Sequence, residues 1–193
     1  MKDKIILTDC DGVLCDWEHS FDRWMNRHGY KIVNDGLYKM DEKYEIPRNE
    51  AQRLIRMFNE SATIRRLPPF RDAIKYVKKL HEEHGYIFHV ITSMSDDEYA
   101  QHLRTKNLSE LFGPSVFDKF VYLDCGADKD EALAKYENTG CWWIEDKPDN
   151  ARVGKYFGLN PLLMSHEHNA DDKDIPRVLN WRNIHDIILG YDI

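Results

Sequence analysis

The chain has 193 residues, of which 42% are hydrophobic and 32% charged, with a net charge of −7 and a pI near 5.7. That length suits one domain with a modest insertion and allows a sizeable core. The acidic balance excludes a general nucleic-acid binder, which carries a basic footprint. The lack of any run of 18 apolar residues excludes a membrane span.

The chain opens on a short apolar strand, Ile5 to Thr8, with no signal-peptide h-region, so a cytoplasmic location is expected. Two carboxylates one residue apart, Asp9 and Asp11, follow directly, and then Gly12 turns the chain. Trp17, Phe21, Trp24, Met25 and His28 recur at helical spacing, with Asp16 placed to cap that helix and Gly29 to end it. Residues 30–47 are polar, aromatic-dotted and irregular. Ala51, Leu54, Ile55 and Phe58 mark another helix, and Pro68-Pro69 is a stiff joint. Asp16 to Pro69 reads as a small, mainly helical cap inserted after the first strand.

Beyond Phe70 the pattern alternates between helix and strand. Ala73, Ile74, Val77 and Leu80 give a helix face, and Tyr86 to Ile91 a strand that runs into Thr92-Ser93. Ser95 with Glu98 reads as a capping box. Phe120 to Leu123 is a third strand, and Asp128 with Glu131 caps a short helix carrying Lys129 in its first turn. Cys141 to Ile144 is a fourth strand ending in Glu145-Asp146. Pro148 opens a further helix, Pro161 to Met164 is a fifth strand, and Trp181, Ile184, Ile187 and Ile188 share a face of the last helix. Such alternation predicts an α/β fold with a parallel sheet and right-handed crossovers. Cys10, Cys15, Cys125 and Cys141 lack zinc-type spacing and read as reduced thiols.

An apolar strand ending in acids reads as the carboxyl edge of a parallel sheet, where open α/β folds place their ligands. Two acids as close as Asp9 and Asp11 repel each other unless a cation or a shared proton relieves them. A hard divalent ion such as Mg²⁺, held by one or two carboxylates and by substrate phosphate oxygens, meets that need.

The run Asp9-Cys10-Asp11-Gly12-Val13 resembles motif I of the haloacid dehalogenase-like (HAD) phosphatases. Thr92, Lys129 and the pair Glu145-Asp146 follow in the order of that family's later motifs, each after an apolar strand or at a helix start. The resemblance implies a Rossmann-like five-stranded sheet ordered 5-4-1-2-3, with residues 1–15 and 70–193 as core and 16–69 as cap. It implies Asp9 as nucleophile and Asp11 as acid and then base. Mg²⁺ would be held by Asp9, the Asp11 backbone carbonyl and Asp146, with Glu145 holding a metal-bound water. Thr92, Ser93 and Lys129 would bind phosphate.

Within that superfamily the chain is similar to the 5'(3')-deoxyribonucleotidases. The matching stretches are Asp9 to Trp17, Leu67 to Ile74, Val90 to Ser93, Leu111 to Leu123, Asp128-Lys129, Glu145 to Asn150 and His168-Asn169. This implies a phosphatase for nucleoside monophosphates, with Trp17 stacking on the base and Tyr38 and Tyr44 as further cap contacts. Phe70 stands where that family has Gly, and Glu145 where it commonly has Asp. The alternatives are a phosphatase for sugar phosphates or for phosphorylated nucleic-acid ends, or a silent binding module on the same fold. A nucleic-acid end would need Arg65, Arg66, Arg71, Lys147, Arg152 and Lys155 to cluster. A small phosphate ester is the expected partner, and a homodimer is left open.

Overall fold

A computed structural model describes residues 4–191. Its strands are β1 (Ile5–Thr8), β2 (Ile87–Ser93), β3 (Phe117–Leu123), β4 (Trp142–Glu145), β5 (Asn160–Met164) and β6 (Arg177–Val178). They form one sheet, ordered β3-β2-β1-β4-β5-β6, in which every pairing is parallel. The sheet is therefore six-stranded rather than five-stranded. The expected order is kept, and β6 is added beside β5 through Leu163↔Arg177 and Met164↔Val178. A two-residue strand has no periodicity to read, so pairing alone reveals it.

The central strands are buried on both faces, as a parallel sheet covered by helices requires. Successive side chains point to opposite sides. Ile6, Val90 and Ile144 belong to one core, with Val77, Leu80, Trp181 and Ile184. Leu7, Ile91 and Trp143 belong to the other, with Leu133 and Leu159. The chain moves from β1 to β2 and β3 on one side, then crosses to β4, β5 and β6 on the other. The strand order thus reverses between β1 and β4, which opens a crevice at their carboxyl ends.

Between β1 and β2 run α1 (Trp17–Arg27), α2 (Met40–Tyr44), α3 (Arg48–Asn59), a 3₁₀ turn (Ala62–Arg66) and α4 (Ala73–Glu82). Asp16 caps α1, accepting from His19 N at 3.2 Å. Helix α2 lies in the stretch read as irregular, and five residues are too short to show a 3.6 period. The helices before the double proline share an aromatic core. Phe21 stacks on Trp17 at 4.7 Å and meets Phe58 and Tyr44 edge-on. Lys43 is buried among them and is neutralised by Glu18 at 2.6 Å and Asp22 at 2.8 Å. The outgoing and returning chains lie side by side: Asp16 N donates to Pro68 O at 2.9 Å, and Phe70 N to Leu14 O at 2.8 Å.

The remaining helices are α5 (Glu98–Phe112), α6 (Asp130–Ala134), α7 (Pro148–Tyr156) and α8 (Trp181–Leu189). Two expected caps differ. Asp97, not Ser95, caps α5 by accepting from Ala100 N at 2.7 Å, while the Ser95 hydroxyl donates to Glu60. Lys129 stands just before α6 rather than in its first turn. Helix α8 is tied to the loop after β1, because Trp181 Nε1 donates to Val13 O at 2.8 Å. Asp72 fixes the start of that helix, accepting from Trp181 N at 2.9 Å.

Trp181 is wholly buried, so its indole N–H cannot be replaced by water. Trp181→Phe should cost about 1–3 kcal/mol by leaving the Val13 carbonyl unpartnered. Urea unfolding followed by circular dichroism should show a lower midpoint at unchanged slope.

Candidate active site

The crevice between β1 and β4 is lined by acids because both strands end in them. Asp9 follows β1 and is locked to β4 by its own N–H, which donates to Ile144 O at 2.8 Å. The loop then turns tightly, with Val13, Leu14 and Cys15 N–H all directed at Cys10 O, at 2.8–3.3 Å. Gly12 makes this turn at φ +73°. A Cβ there would come within 2.8 Å of Asp146 Oδ2 and 3.3 Å of His166 Nε2, so both the backbone and the space demand glycine.

Lys129 is buried in the middle of the site, 2.9 Å from Asp9 Oδ1 and 2.8 Å from Glu145 Oε2. Burial disfavours its charge, but Asp9 and Glu145 outweigh burial and hold its pKa above the ordinary lysine value. The oxygens of Glu145 are fully used. Oε1 accepts from the N–H groups of Asp146 and Lys147 at 3.0 and 3.1 Å, and Oε2 accepts from Lys129 and from Asn150 Nδ2 at 3.3 Å. Glu145 therefore anchors Lys129 and the start of α7. Asp146 is presented differently. Its backbone carbonyl is gripped by Asn169 Nδ2 at 2.8 Å and by His168 Nε2 at 3.1 Å, and its side chain is left to the crevice.

One oxygen each of Asp9, Glu145 and Asp146 lies within 4.8 Å of the others. Burial raises the Asp9 carboxyl from 3.8 to about 6, with Glu145 adding to the rise and Lys129 opposing it. Burial and the charge of Asp9 push Asp146 up to about 7. Asp11 stands apart from this cluster. Its carboxylate faces Arg104 of α5, with Oδ1 at 2.5 Å from Nη1 and Oδ2 at 3.4 Å from Nη2. Burial raises the Asp11 pKa, the Arg104 charge opposes that, and Asp9 adds to the rise. Among the described residues, the four carboxylates of Asp9, Asp11, Glu145 and Asp146 have two charged partners, Lys129 and Arg104, with His168 Nε2 at 3.8 Å from Asp146 Oδ2. A divalent cation fits this donor set, because oxygen ligands and uncompensated charge are what it requires.

With that geometry in hand, comparison places the chain among known proteins. No protein-family model matches it. An uncharacterized 32.4 kDa protein from the Gp30-rIII intergenic region of Enterobacteria phage T4 is 30% identical over 193 residues, covering 93% of this chain and 67% of that one. The chain belongs to the family of that phage protein.

The solved structures it resembles have the HAD fold. A haloacid dehalogenase-like hydrolase from Streptococcus pneumoniae superposes with a TM-score of 0.65 at 14% identity, covering 97% of this chain and 99% of that one. The HAD-hydrolase YfnB from Bacillus subtilis, solved bound to magnesium, gives 0.62 at 15% identity, covering 98% and 100%. The L-2-haloacid dehalogenase from Xanthobacter autotrophicus, with chloropropionic acid covalently bound, gives 0.62 at 11% identity, covering 98% and 100%. At such identities the likeness is one of fold, and the six-stranded parallel sheet here is the Rossmann-like sheet of the HAD hydrolases.

On this HAD fold the other expected residues fall out as follows. Thr92 is buried at the end of β2, and its hydroxyl has no hydrogen-bond partner among the described residues. Ser93 is committed elsewhere, since its hydroxyl donates to Ala127 O at 2.8 Å. Trp17 is part of the aromatic core of the helical segment, and its Nε1 donates to Asn59 Oδ1 at 2.8 Å. Tyr38 packs against the His168 ring at 4.5 Å and is 49% exposed. The exposure is of the residue as a whole; its hydroxyl end is enclosed, and that loss of solvation, with the charges of Asp146, Glu145, Asp9 and Asp11, raises its pKa and keeps it protonated. Tyr44 does not contact the site: it is 4% exposed, and its hydroxyl donates to Asp22 at 2.5 Å. Aromatic packing and aromatic contact with a ligand use the same residue types, so only position separates them.

Three of the basic residues weighed for a nucleic-acid groove are engaged within the fold. Arg65 pairs with Glu110, Arg152 with Asp149, Asp172 and Asp174, and Arg71 donates to the carbonyls of Ser165 and Leu179. Three site residues escaped the sequence reading. His166, which donates to Gly12 O at 2.8 Å, and Asn59 carry no local signal. Arg104 does: it lies on the face of α5 that buries Ala100, Leu103 and Leu108, and a charge there demands a partner.

The raised carboxyls set the sign of a pH effect. Folded protein holds protons on Asp9 and Asp146 that the unfolded chain releases above its ordinary value near 3.8. Their contribution is present below that value and is lost as pH rises through about 6 and 7. In chelator, the stability of the native protein relative to Asp146→Asn should therefore fall between pH 5 and pH 7.5. Denaturant midpoints of the two proteins at each pH give the comparison, and a rising or constant difference would contradict it.

Proposed function

We propose that the protein is a magnesium-dependent phosphomonoesterase that hydrolyses (deoxy)nucleoside monophosphates through an aspartyl-phosphate on Asp9. The carrying observation is that four buried or half-buried carboxylates share two buried cations, on a sheet edge where the Thr92 hydroxyl has no partner among the described residues. A phosphate ester could not approach four carboxylates unaided. Asp9, Asp146 and the Asp11 carbonyl would hold Mg²⁺, which when bound neutralises phosphate charge beside the nucleophile.

In this reading an Asp9 oxygen attacks phosphorus, and the bond to the ester oxygen breaks. That oxygen leaves with the electron pair and takes a proton from Asp11. Water then attacks the phosphoryl group, gives its proton back to Asp11 and releases Asp9. Lys129, fixed by Glu145, orients Asp9 and offsets charge on the non-bridging oxygens, and Thr92 donates to one of them. Residues 16–69 act as cap over a core of 1–15 and 70–193. The side-by-side pairing of Asp16 with Pro68 and of Leu14 with Phe70 supports that division.

Cleavage of a carbon–halogen bond is supported less well. Halide leaves as a stable anion and needs no acid, whereas an alkoxide does, and Asp11 stands at the crevice to supply one. The base would rest on the half-exposed Tyr38. Trp17 already stacks on Phe21, so its contact with substrate is through whatever edge the aromatic core leaves open.

Asp9→Asn should lower phosphate release by several orders of magnitude, because an amide is no nucleophile. A panel of nucleoside monophosphates, sugar phosphates and an aryl phosphate, read as inorganic phosphate, tests both reaction and substrate. Near-normal turnover by the variant would refute Asp9 as nucleophile, and a preference for sugar phosphates would refute the nucleotide.

Chelator should abolish activity, Mg²⁺ should restore it, and Ca²⁺ should not, because Ca²⁺ takes more oxygens at longer range and would engage Asp9. Full activity in excess chelator would remove the metal from the mechanism.

A further inference from the structure

We propose that Arg104 is a positioning residue that aims one oxygen of Asp11 at the ester leaving group. The inference rests on the phosphatase reading and goes beyond it, to how the proton donor is held.

Arg104 is wholly buried, and α5 brings it in from the side of the sheet carrying β2 and β3. Its Nη1 donates to Asp11 Oδ1 at 2.5 Å and lies 2.9 Å from Cys10 Sγ, while Nη2 is 3.4 Å from Oδ2. Among the described residues, no other side-chain donor reaches the Asp11 carboxylate. The Asp11 side chain is 22% exposed, with Arg104 on its buried side, and in the phosphatase reading substrate meets its exposed side. The grip is uneven. Oδ1 is held tightly by a charged donor and Oδ2 loosely, so Oδ2 is the oxygen left to carry and transfer a proton.

Stability does not account for this pair. Removing a guanidinium from water is costly, and an apolar residue of similar volume often serves a packed face as well or better. The Nε of Arg104 has no partner among the described residues. Ala100, Leu103 and Leu108 already make this face of α5 apolar, and a leucine at 104 would continue it. An aspartate one-fifth exposed at the crevice could be solvated by water. What the fork adds is orientation, since a planar guanidinium fixes a carboxylate in direction as well as distance.

The step concerned is the first half-reaction. The Asp9 oxygen bonds to phosphorus, the phosphorus–ester bond breaks, its electron pair stays on the ester oxygen, and the Oδ2 proton moves to that oxygen. A misplaced donor slows this step only where the leaving group needs the proton. An aryl oxide leaves without help and an alkoxide does not.

The test compares wild type, Arg104→Lys, Asp11→Asn and the double variant on an aryl phosphate and on a nucleoside 5'-monophosphate. Lysine keeps the charge but lacks the fork. Arg104→Lys should lower kcat on the nucleotide by about 10- to 100-fold, the size expected for a donor misplaced by about 1 Å. KM should move little, and the aryl ester should lose only a few-fold. In the Asp11→Asn background the lysine should cost nothing further on the nucleotide, because the group it aims is already gone.

Equal losses on both esters, or losses that multiply in the double variant, would overturn the inference while leaving the phosphatase reading intact. Absence of phosphate release from any ester by wild type would overturn that reading, and this inference with it. If Arg104→Lys melts well below wild type, Arg104→Gln, neutral but still planar, carries the same comparison of the two esters.

Discussion

The ion pair on which this structure depends is Lys129 between Asp9 and Glu145. A buried lysine is tolerable only where opposite charge offsets its desolvation. Here two carboxylates from the ends of two adjacent strands meet one ammonium at 2.9 and 2.8 Å. The strands must therefore lie side by side in register, and Thr8↔Ile144 is the last rung before the acids begin. Glu145 then uses its remaining acceptors on the first N–H groups of the turn into α7. The charge at the crevice and the path of the backbone out of β4 are one arrangement. Asp146 follows from it: once Glu145 is turned inward, the next side chain is left to the crevice.

A second set of contacts ties the helical segment to the sheet ends. Arg56 of α3 donates through Nη2 to both carboxylate oxygens of Asp124, at 2.7 and 2.9 Å, beyond β3. Asn59 donates to Met94 O at 2.9 Å and accepts from Trp17. Glu60 accepts from Ser95. The C-terminal end of α3 is thus fastened to the loops after β2 and β3. The opposite edge rests on Tyr38 against His168, after β5. Of these contacts Asn59, Met94 and Ser95 are deeply buried, while the Arg56–Asp124 pair and Tyr38 are open to solvent. Exposed ion pairs are individually weak, so this fastening is lighter than the packing within either part.

How much of this could be read from the amino-acid string follows from what each feature depends on. The five longer strands and the acids at the ends of two of them, β1 and β4, were legible, because a buried strand shows as an apolar run and its end as the first polar residues. The place of Lys129 was legible as chemistry but not as position, since a charged residue beside a short helix carries no periodic mark. Arg104 was hidden by the apolar residues around it, which made α5 look like ordinary packing. Tyr44 misled for the opposite reason: an aromatic in a polar stretch looks available, yet its neighbours Phe21 and Lys43 come from distant or unreadable turns. Ser93 matched a motif and still directs its hydroxyl to a backbone carbonyl, because a hydroxyl beside a strand end has several acceptors within reach.

The pairing of the chain where it leaves and rejoins the sheet has a mechanical meaning. Cys15, the last residue of the turn around Asp11, bridges to Pro69, and its N–H is fastened to Cys10. The points where the chain leaves and rejoins the sheet therefore lie within a few residues of the loop bearing both aspartates. Only the run Gly12 to Asp16 separates Asp11 from the start of α1, so the place of that carboxylate and the first turn of the helical segment are set by the same stretch of backbone.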